Sequence, residues 1–339
     1  MILTKRFLIG ALSSLVATGA FSYHNIPQCF KTGFTSIRNL SLESASRTNR
    51  KFDLIVSFGG IAKNQDEKHI FVVNADKNEK ETFFLKLFGE DATFLNLSPR
   101  LSFFGVADGV GGYNKYGIDP SFFSFTLMKF CLLASSQFIS DYQAGAQSQK
   151  IVNEAYNTLI NLNDPVLGGS TILVASFDHQ TGNLNVCNLG DSKLLILRNL
   201  ENVFSTDSQQ HYFNCPYQLG SEPRSDKLVR LMIRPGMAQV ADIELKEGDM
   251  VIIASDGFFD NVFFREIIPI VDLTKDGQNS YECCKSLLKM AREFAFDEHR
   301  QSPFSVECYK ETKSRYDGGK KDDITLIFAI VVKNSHYSE

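Results

Sequence analysis

Twice in this chain an apolar run ends abruptly on Asp-Gly. Phe103-Phe104-Gly105-Val106-Ala107 runs into Asp108-Gly109, and Val251-Ile252-Ile253-Ala254-Ser255 runs into Asp256-Gly257. A short run of this kind closed by turn residues reads as a buried strand, and the glycine lets the backbone turn sharply at its end. The carboxylate is thereby placed at the rim of a sheet. Two acidic pairs stand in similar places: Glu90-Asp91 before the strand-like residues 92–97, and Asp322-Asp323 before residues 324–332. Any single Asp-Gly is an ordinary turn. Four acidic sites in equivalent strand-edge contexts are a ligand set, because carboxylates that meet at one rim repel each other and need cations. All-oxygen ligation selects Mg²⁺, Mn²⁺ or Ca²⁺ over zinc, and no His or Cys accompanies these residues at metal-ligand spacing.

Further strand-like runs occur at residues 52–58, 101–107, 171–177, 184–188, 194–198 and 250–254, with His179-Gln180-Thr181-Gly182-Asn183 as a hairpin turn between two of them. Helical patterns are fewer. Asp119-Pro120 opens one, with Phe122, Phe125, Met128, Leu132 and Leu133 at helical spacing. Ile151, Val152, Ala155, Tyr156, Leu159 and Ile160 form a second stripe, which Asp164-Pro165 ends, and residues 280–296 carry a third. These stripes are core surface without a functional role. The expected fold is α+β: antiparallel and strand-rich, with long helices covering the sheet faces. No repeat or linker divides the chain after Phe52, so one domain over residues 52–333 is expected, followed by a short tail at 334–339.

Charge is distributed unevenly. The formal net charge is −4, yet residues 1–51 hold seven Lys or Arg and one acid, leaving −10 on the remainder. An acidic body argues against nucleic acid as a partner. The apolar stretch at residues 7–20 is interrupted by Ser13, Ser14, Thr18 and Gly19 and is too short to span a bilayer. By composition residues 1–51 are either a secretory signal or a mitochondrial presequence. Seven cysteines without a CxxC pair read as buried free thiols, not a disulfide framework or a zinc site.

The segments Gly89-Glu90-Asp91-Ala92, Val106-Ala107-Asp108-Gly109-Val110-Gly111-Gly112, Gly169-Ser170-Thr171, Asn188-Leu189-Gly190-Asp191-Ser192, Ala254-Ser255-Asp256-Gly257-Phe258-Phe259-Asp260-Asn261 and Asp322-Asp323-Ile324-Thr325 occur in a telling order. In that order they resemble the metal-dependent protein serine/threonine phosphatases, the PPM family or protein phosphatase type 2C. Tyr116-Gly117-Ile118-Asp119-Pro120, Gln209-Gln210-His211-Tyr212-Phe213-Asn214, Ser302-Pro303-Phe304 and Gly318-Gly319-Lys320 look like its mitochondrial-matrix branch. The resemblance implies a four-layer α-β-β-α sandwich and a mitochondrial reading of residues 1–51. It also implies hydrolysis of phosphoserine and phosphothreonine in protein substrates by a hydroxide bridging two Mg²⁺ or Mn²⁺ ions, with no phosphoenzyme.

By similarity Asp108 bridges both metals, the Gly109 carbonyl binds the second, and Asp256 and Asp322 complete the first. Glu90 and Asp91 match the pair that holds metal-bound waters. Gly168 to Thr171 and Asn188 to Ser192 are expected to be structural, with Asp191 near the rim as the alternative, and Asp260-Asn261 to cap a helix. Two positions depart from the family. Val110 stands where many members have a His that protonates the leaving alkoxide, leaving a metal-bound water or His211 to do so. Lys86 stands where many members grip phosphate with Arg, offering a point charge without the bidentate fork. A catalytically inactive scaffold and a calcium-binding structural module are the competing classes; retention of every motif aspartate favours the enzyme.

Overall fold

Most strands of this chain are buried on both faces, so consecutive residues are apolar and serve different cores. The computed structural model describes residues 50–75, 82–141, 147–221, 233–273 and 279–334. Residues 1–49 of the expected presequence and 335–339 of the expected tail lie outside them. Five strands precede the first long helix: β1 (Phe52–Ile61), β2 (Phe71–Asn74), β3 (Thr82–Phe88), β4 (Asp91–Leu97) and β5 (Leu101–Asp108). The longer strands that follow are β6 (Ile172–Asp178), β7 (Asn183–Leu189), β8 (Lys193–Arg198), β9 (Glu201–Ser205), β10 (Gln239–Glu244), β11 (Met250–Ala254) and β12 (Ile324–Lys333). They form two six-stranded sheets, ordered β9-β8-β11-β12-β1-β2 and β10-β7-β6-β5-β4-β3, with neighbours antiparallel.

The helices are α1 (Pro120–Asp141), α2 (Ser148–Ile160), α3 (Asp256–Phe259), α4 (Phe264–Asp272), α5 (Ser280–Phe296) and α6 (Pro303–Thr312). Strand alternation sorts side chains into three apolar layers. On β5, Phe103 faces α1 and α2 while Phe104 faces the other sheet; on β11, Ile253 faces the other sheet while Ile252 faces α5. The result is the α-β-β-α sandwich that the resemblance implied. Each fully buried Phe, Leu or Ile contributes about 1.5–3 kcal/mol relative to exposure.

Some local expectations need correction. On α1 the buried face is Phe123, Leu127, Met128 and Cys131, whereas Phe122 is 57% exposed. The helix is apolar nearly all round, so its spacing does not identify the packed face. α2 stops at Ile160, ahead of Asp164-Pro165. Asp260-Asn261 cap no following helix, because α4 begins after Phe263. The cap at Asp119 does form, with the Ser121 N–H donating to Asp119 Oδ1 at 2.9 Å. Residues 120–139 of α1 are long and apolar enough to cross a membrane by composition, yet four of them (Phe123, Leu127, Met128 and Cys131) are fully buried against β-sheet. None of the six described cysteines forms a disulfide, and all six are buried.

His179, in the β6–β7 turn, is buried. Its Nδ1–H donates to the Phe52 carbonyl at 3.1 Å, so Nε2 accepts from the Ser102 hydroxyl at 2.7 Å. Burial pushes the imidazole down to about 4. An unfolded His titrates near 6.5, so between these values the unfolded chain binds the extra proton, and the stability His179 confers falls as pH drops. The destabilisation caused by His179→Asn is expected to shrink by about 3 kcal/mol from pH 7 to pH 4, read from urea midpoints.

Candidate metal centre

Asp91 opens β4 and Asp108 closes β5, and the strand register sets the two directly opposite each other. Directly opposed residues point to the same face, so this register alone brings two carboxylates together. The other sheet supplies Asp256, on the first turn after β11, and Asp322, just before β12. Ser255 joins the two groups: its hydroxyl donates to Asp91 Oδ2 at 2.6 Å and accepts from the Thr325 N–H at 3.1 Å. Gly257 permits the close approach, since a Cβ there would stand 2.0 Å from the Asp323 carbonyl oxygen.

Asp322 and Asp323 divide their work. Asp323 accepts from the Lys63 and Glu90 N–H groups at 2.7 and 2.8 Å, tying β12 to the ends of β1 and β3. Glu90 is fixed on both oxygens, by Asn114 Nδ2 at 2.7 Å and Lys63 Nζ at 3.1 Å. Its carbonyl accepts from the Gly109 N–H at 3.1 Å, which draws Gly109 against the acidic pair. The Asp108 N–H donates to Thr171 Oγ1 at 3.0 Å, and its carbonyl accepts from the Ser170 hydroxyl at 2.8 Å. That gives Gly169-Ser170-Thr171 its structural part. Asp191 is buried beside the rim, with Gln210 Nε2 donating to its Oδ2 at 2.9 Å.

Burial, and then the neighbouring carboxylates, push Asp91 and Asp108 well above the usual carboxylate range. The same causes raise Asp322 to about 7 and Asp191 to about 8. Burial opposes ionisation of Asp256 as well, but the Lys320 ammonium and hydrogen bonds overcome it and hold the carboxyl below its ordinary value. Asp91 Oδ1, Asp191 Oδ1 and Asp256 Oδ1 are buried without a hydrogen-bond partner. Unpartnered buried oxygens of this kind are costly, and an oxygen-only donor set suits a hard divalent cation. Among the described residues no three His, Cys, Asp or Glu side chains already surround one point as a metal cage. Protein cations take up part of the rim instead.

The structure brings Asp91, Asp108, Asp256 and Asp322 into electrostatic contact, with Glu90 at the edge. The Lys86 ammonium lies 4.7 Å from the Phe71 ring centroid. The His211 ring packs on Tyr217 at 4.6 Å between centroids. Sequence reasoning overlooked Lys63 and Lys320, the cations in contact with the carboxylates, and Ser255, the link between sheets. The Gly318-Gly319-Lys320 turn was the available signal for Lys320.

A family model described as stage II sporulation protein E (SpoIIE) matches residues 133–331. The protein phosphatase PTC7 homolog of Homo sapiens is 36% identical over 253 residues, covering 73% of this chain and 80% of that protein. The Xenopus laevis PTC7 homolog is 33% identical over 288 residues, covering 81% and 94%. Among solved structures, that of the photosystem II phosphatase PBCP is 29% identical with a TM-score of 0.65, covering 82% of this chain and 98% of that one.

Proposed function

Since the chain belongs to the PPM, or PP2C-type, family of metal-dependent protein phosphatases, we propose that it hydrolyses phosphoserine and phosphothreonine in protein substrates with Mg²⁺ or Mn²⁺ at the Asp91–Asp108–Asp256–Asp322 rim. The observation that carries this reading is the set of buried carboxylate oxygens without partners at the ends of both sheets. Asp108 would be shared by two ions, with Asp256 and Asp322 on one and the Gly109 carbonyl on the other; Glu90 and Asp91 would hold coordinated waters. Bound there, divalent ions supply Lewis-acid activation of water and positive charge toward the phosphoryl oxygens.

The chain's own groups do the rest. Ser255 and Thr171 fix the backbones and carboxylates against rotation. Lys63, 42% exposed beside Glu90, presents positive charge at the mouth of the site. Lys86 is the proposed phosphate contact, acting as a single point charge, and burial lowers its pKa. Val110 carries no proton for the leaving alkoxide, so that proton comes from water.

Phosphate release from phosphoserine and phosphothreonine peptides is expected with Mn²⁺ and is expected to vanish with EDTA, while a phosphotyrosine peptide is turned over poorly. Release no faster than in EDTA would replace the enzyme reading with that of a binding scaffold. Residues 1–51 are proposed to direct the chain to the mitochondrial matrix; recovery of the mature protein from the secretory pathway would overturn that assignment.

A further inference from the structure

The segment from Ser302 to Lys320 takes no part in either sheet, yet it is built in detail around one side chain. Ser302 caps α6 by accepting from the Ser305 N–H at 3.1 Å, and its hydroxyl donates to the Gly318 carbonyl at 2.7 Å. Gly318 has φ +86°, and a Cβ on Gly319 would stand 2.0 Å from the Phe294 carbonyl oxygen, so the turn lies flush on the end of α5. Buried Asn261 then clamps the next peptide from both sides: the Lys320 N–H donates to its Oδ1 at 2.8 Å, and its Nδ2 donates to the Lys320 carbonyl at 2.9 Å. The Phe304 ring, packed against Phe213 (tilted) and Tyr316 (edge to face) at 5.0 and 4.8 Å between centroids, walls the side chain, whose ammonium lies 5.2 Å from the Phe304 centroid.

The ammonium delivered by this scaffold is only 14% exposed and meets three carboxylates, Asp256 Oδ2 at 2.5 Å, Asp260 Oδ2 at 2.8 Å and Asp322 Oδ2 at 3.3 Å. An ammonium has three N–H donors. Asp256 Oδ1 is left buried and unpartnered.

We propose that Lys320 is a resident counter-ion of the acidic rim: it positions Asp256 through Oδ2, holds the metal-free site together, and by its fixed charge sets the affinity of the rim for divalent ions. The inference rests on the metal reading of this site. A unit charge at hydrogen-bond distance from a ligand carboxylate outweighs the side-chain freedom lost or gained around it. Removing the ammonium therefore tightens divalent binding while weakening the metal-free fold.

The test is calorimetric titration with Mn²⁺ together with thermal melts in EDTA and in saturating Mn²⁺, on the full chain and on the variants Lys320→Met, Lys320→Arg and Asp260→Asn. Lys320→Met is expected to melt lower in EDTA, to recover most of that loss in Mn²⁺, and to bind Mn²⁺ at least about tenfold more tightly. Lys320→Arg keeps the charge and is expected to bind within about threefold of the unsubstituted chain, while Asp260→Asn shifts affinity the opposite way, toward weaker binding. If Lys320→Met does not fold without metal, refolding on Mn²⁺ addition supports the proposal and failure to refold overturns it. Equal losses in EDTA and Mn²⁺ with unchanged affinity make Lys320 an ordinary structural ion pair and also overturn it. Absence of Mn²⁺ binding by the unsubstituted chain refutes the metal reading itself, a separate result.

Discussion

Asp108→Asn is expected to lower Mn²⁺-dependent phosphate release by about 10³-fold or more while making the metal-free chain more stable by about 1–3 kcal/mol. The two effects share one cause. Asp108 and Asp91 face each other across adjacent strands in a buried rim, with Asp256 and Asp322 also acting on Asp108. Without metal these crowded carboxyls must either share like charge or take up protons that the unfolded chain has released, and either costs stability. An amide of the same shape relieves this cost. With metal the balance reverses, because the carboxylate proposed to be shared between two ions is gone. Several kcal/mol of transition-state stabilisation are lost with it, and each 1.36 kcal/mol is a factor of ten in rate. Melts in EDTA and steady-state rates in Mn²⁺ on one preparation test both halves. A destabilised, inactive variant would point to a structural role for Asp108 alone.

The second large effect is on pH. Asp322 and Asp191 are raised to about 7 and about 8, and Asp91 and Asp108 are raised well above their ordinary range. A carboxyl with a raised folded-state pKa binds a proton that the unfolded chain has already released above about pH 4. Its stabilising contribution is thus complete below the unfolded value and is lost as pH rises through the folded one. The metal-free chain should therefore lose stability between about pH 4 and pH 8, and a divalent ion, which replaces those protons, should restore more of it the higher the pH. The gap in melting temperature between Mn²⁺ and EDTA is expected to widen steadily from pH 5.5 to pH 8. His179 works in the opposite direction but cancels, since it is the same in both members of each pair. Proton release on Mn²⁺ binding, measured by titration in buffers of different ionisation enthalpy, should accompany the widening gap. A gap independent of pH would mean that the rim is already ionised without metal.

How much of this was legible in the chain follows from where each side chain makes its contacts. The central strands could be read because burial on both faces leaves continuous apolar runs, as in residues 101–107 and 250–254. Edge strands were missed. On β10 burial alternates along Gln239–Glu244, with Val240 37% exposed, and such a short polar run resembles a loop. Asp108 and Asp256 could be found because their positions depend only on the strand that precedes them. Lys320 was marked only by the Gly318-Gly319 turn before it, because its ammonium reaches the rim only once α6, that turn and Asn261 have folded together. Asp260-Asn261 resembled a helix cap for the same reason: its true partner lies 60 residues away, where Lys320 Nζ meets Asp260. Asp322 and Asp323 are chemically identical neighbours, and tertiary contacts tell them apart: the Lys63 and Glu90 N–H groups bind Asp323, while the Lys320 ammonium meets Asp322.

The central claim is that the strand-end aspartates of two sheets form one divalent-metal site. Diffraction from crystals grown with Mn²⁺, with data collected at the manganese absorption edge, tests it most directly. The account requires two anomalous peaks at the rim, both bordering Asp108 and one of them also bordering Asp256 and Asp322. Clear peaks elsewhere with none at the rim, in crystals of a chain that turns over phosphopeptides, would contradict it.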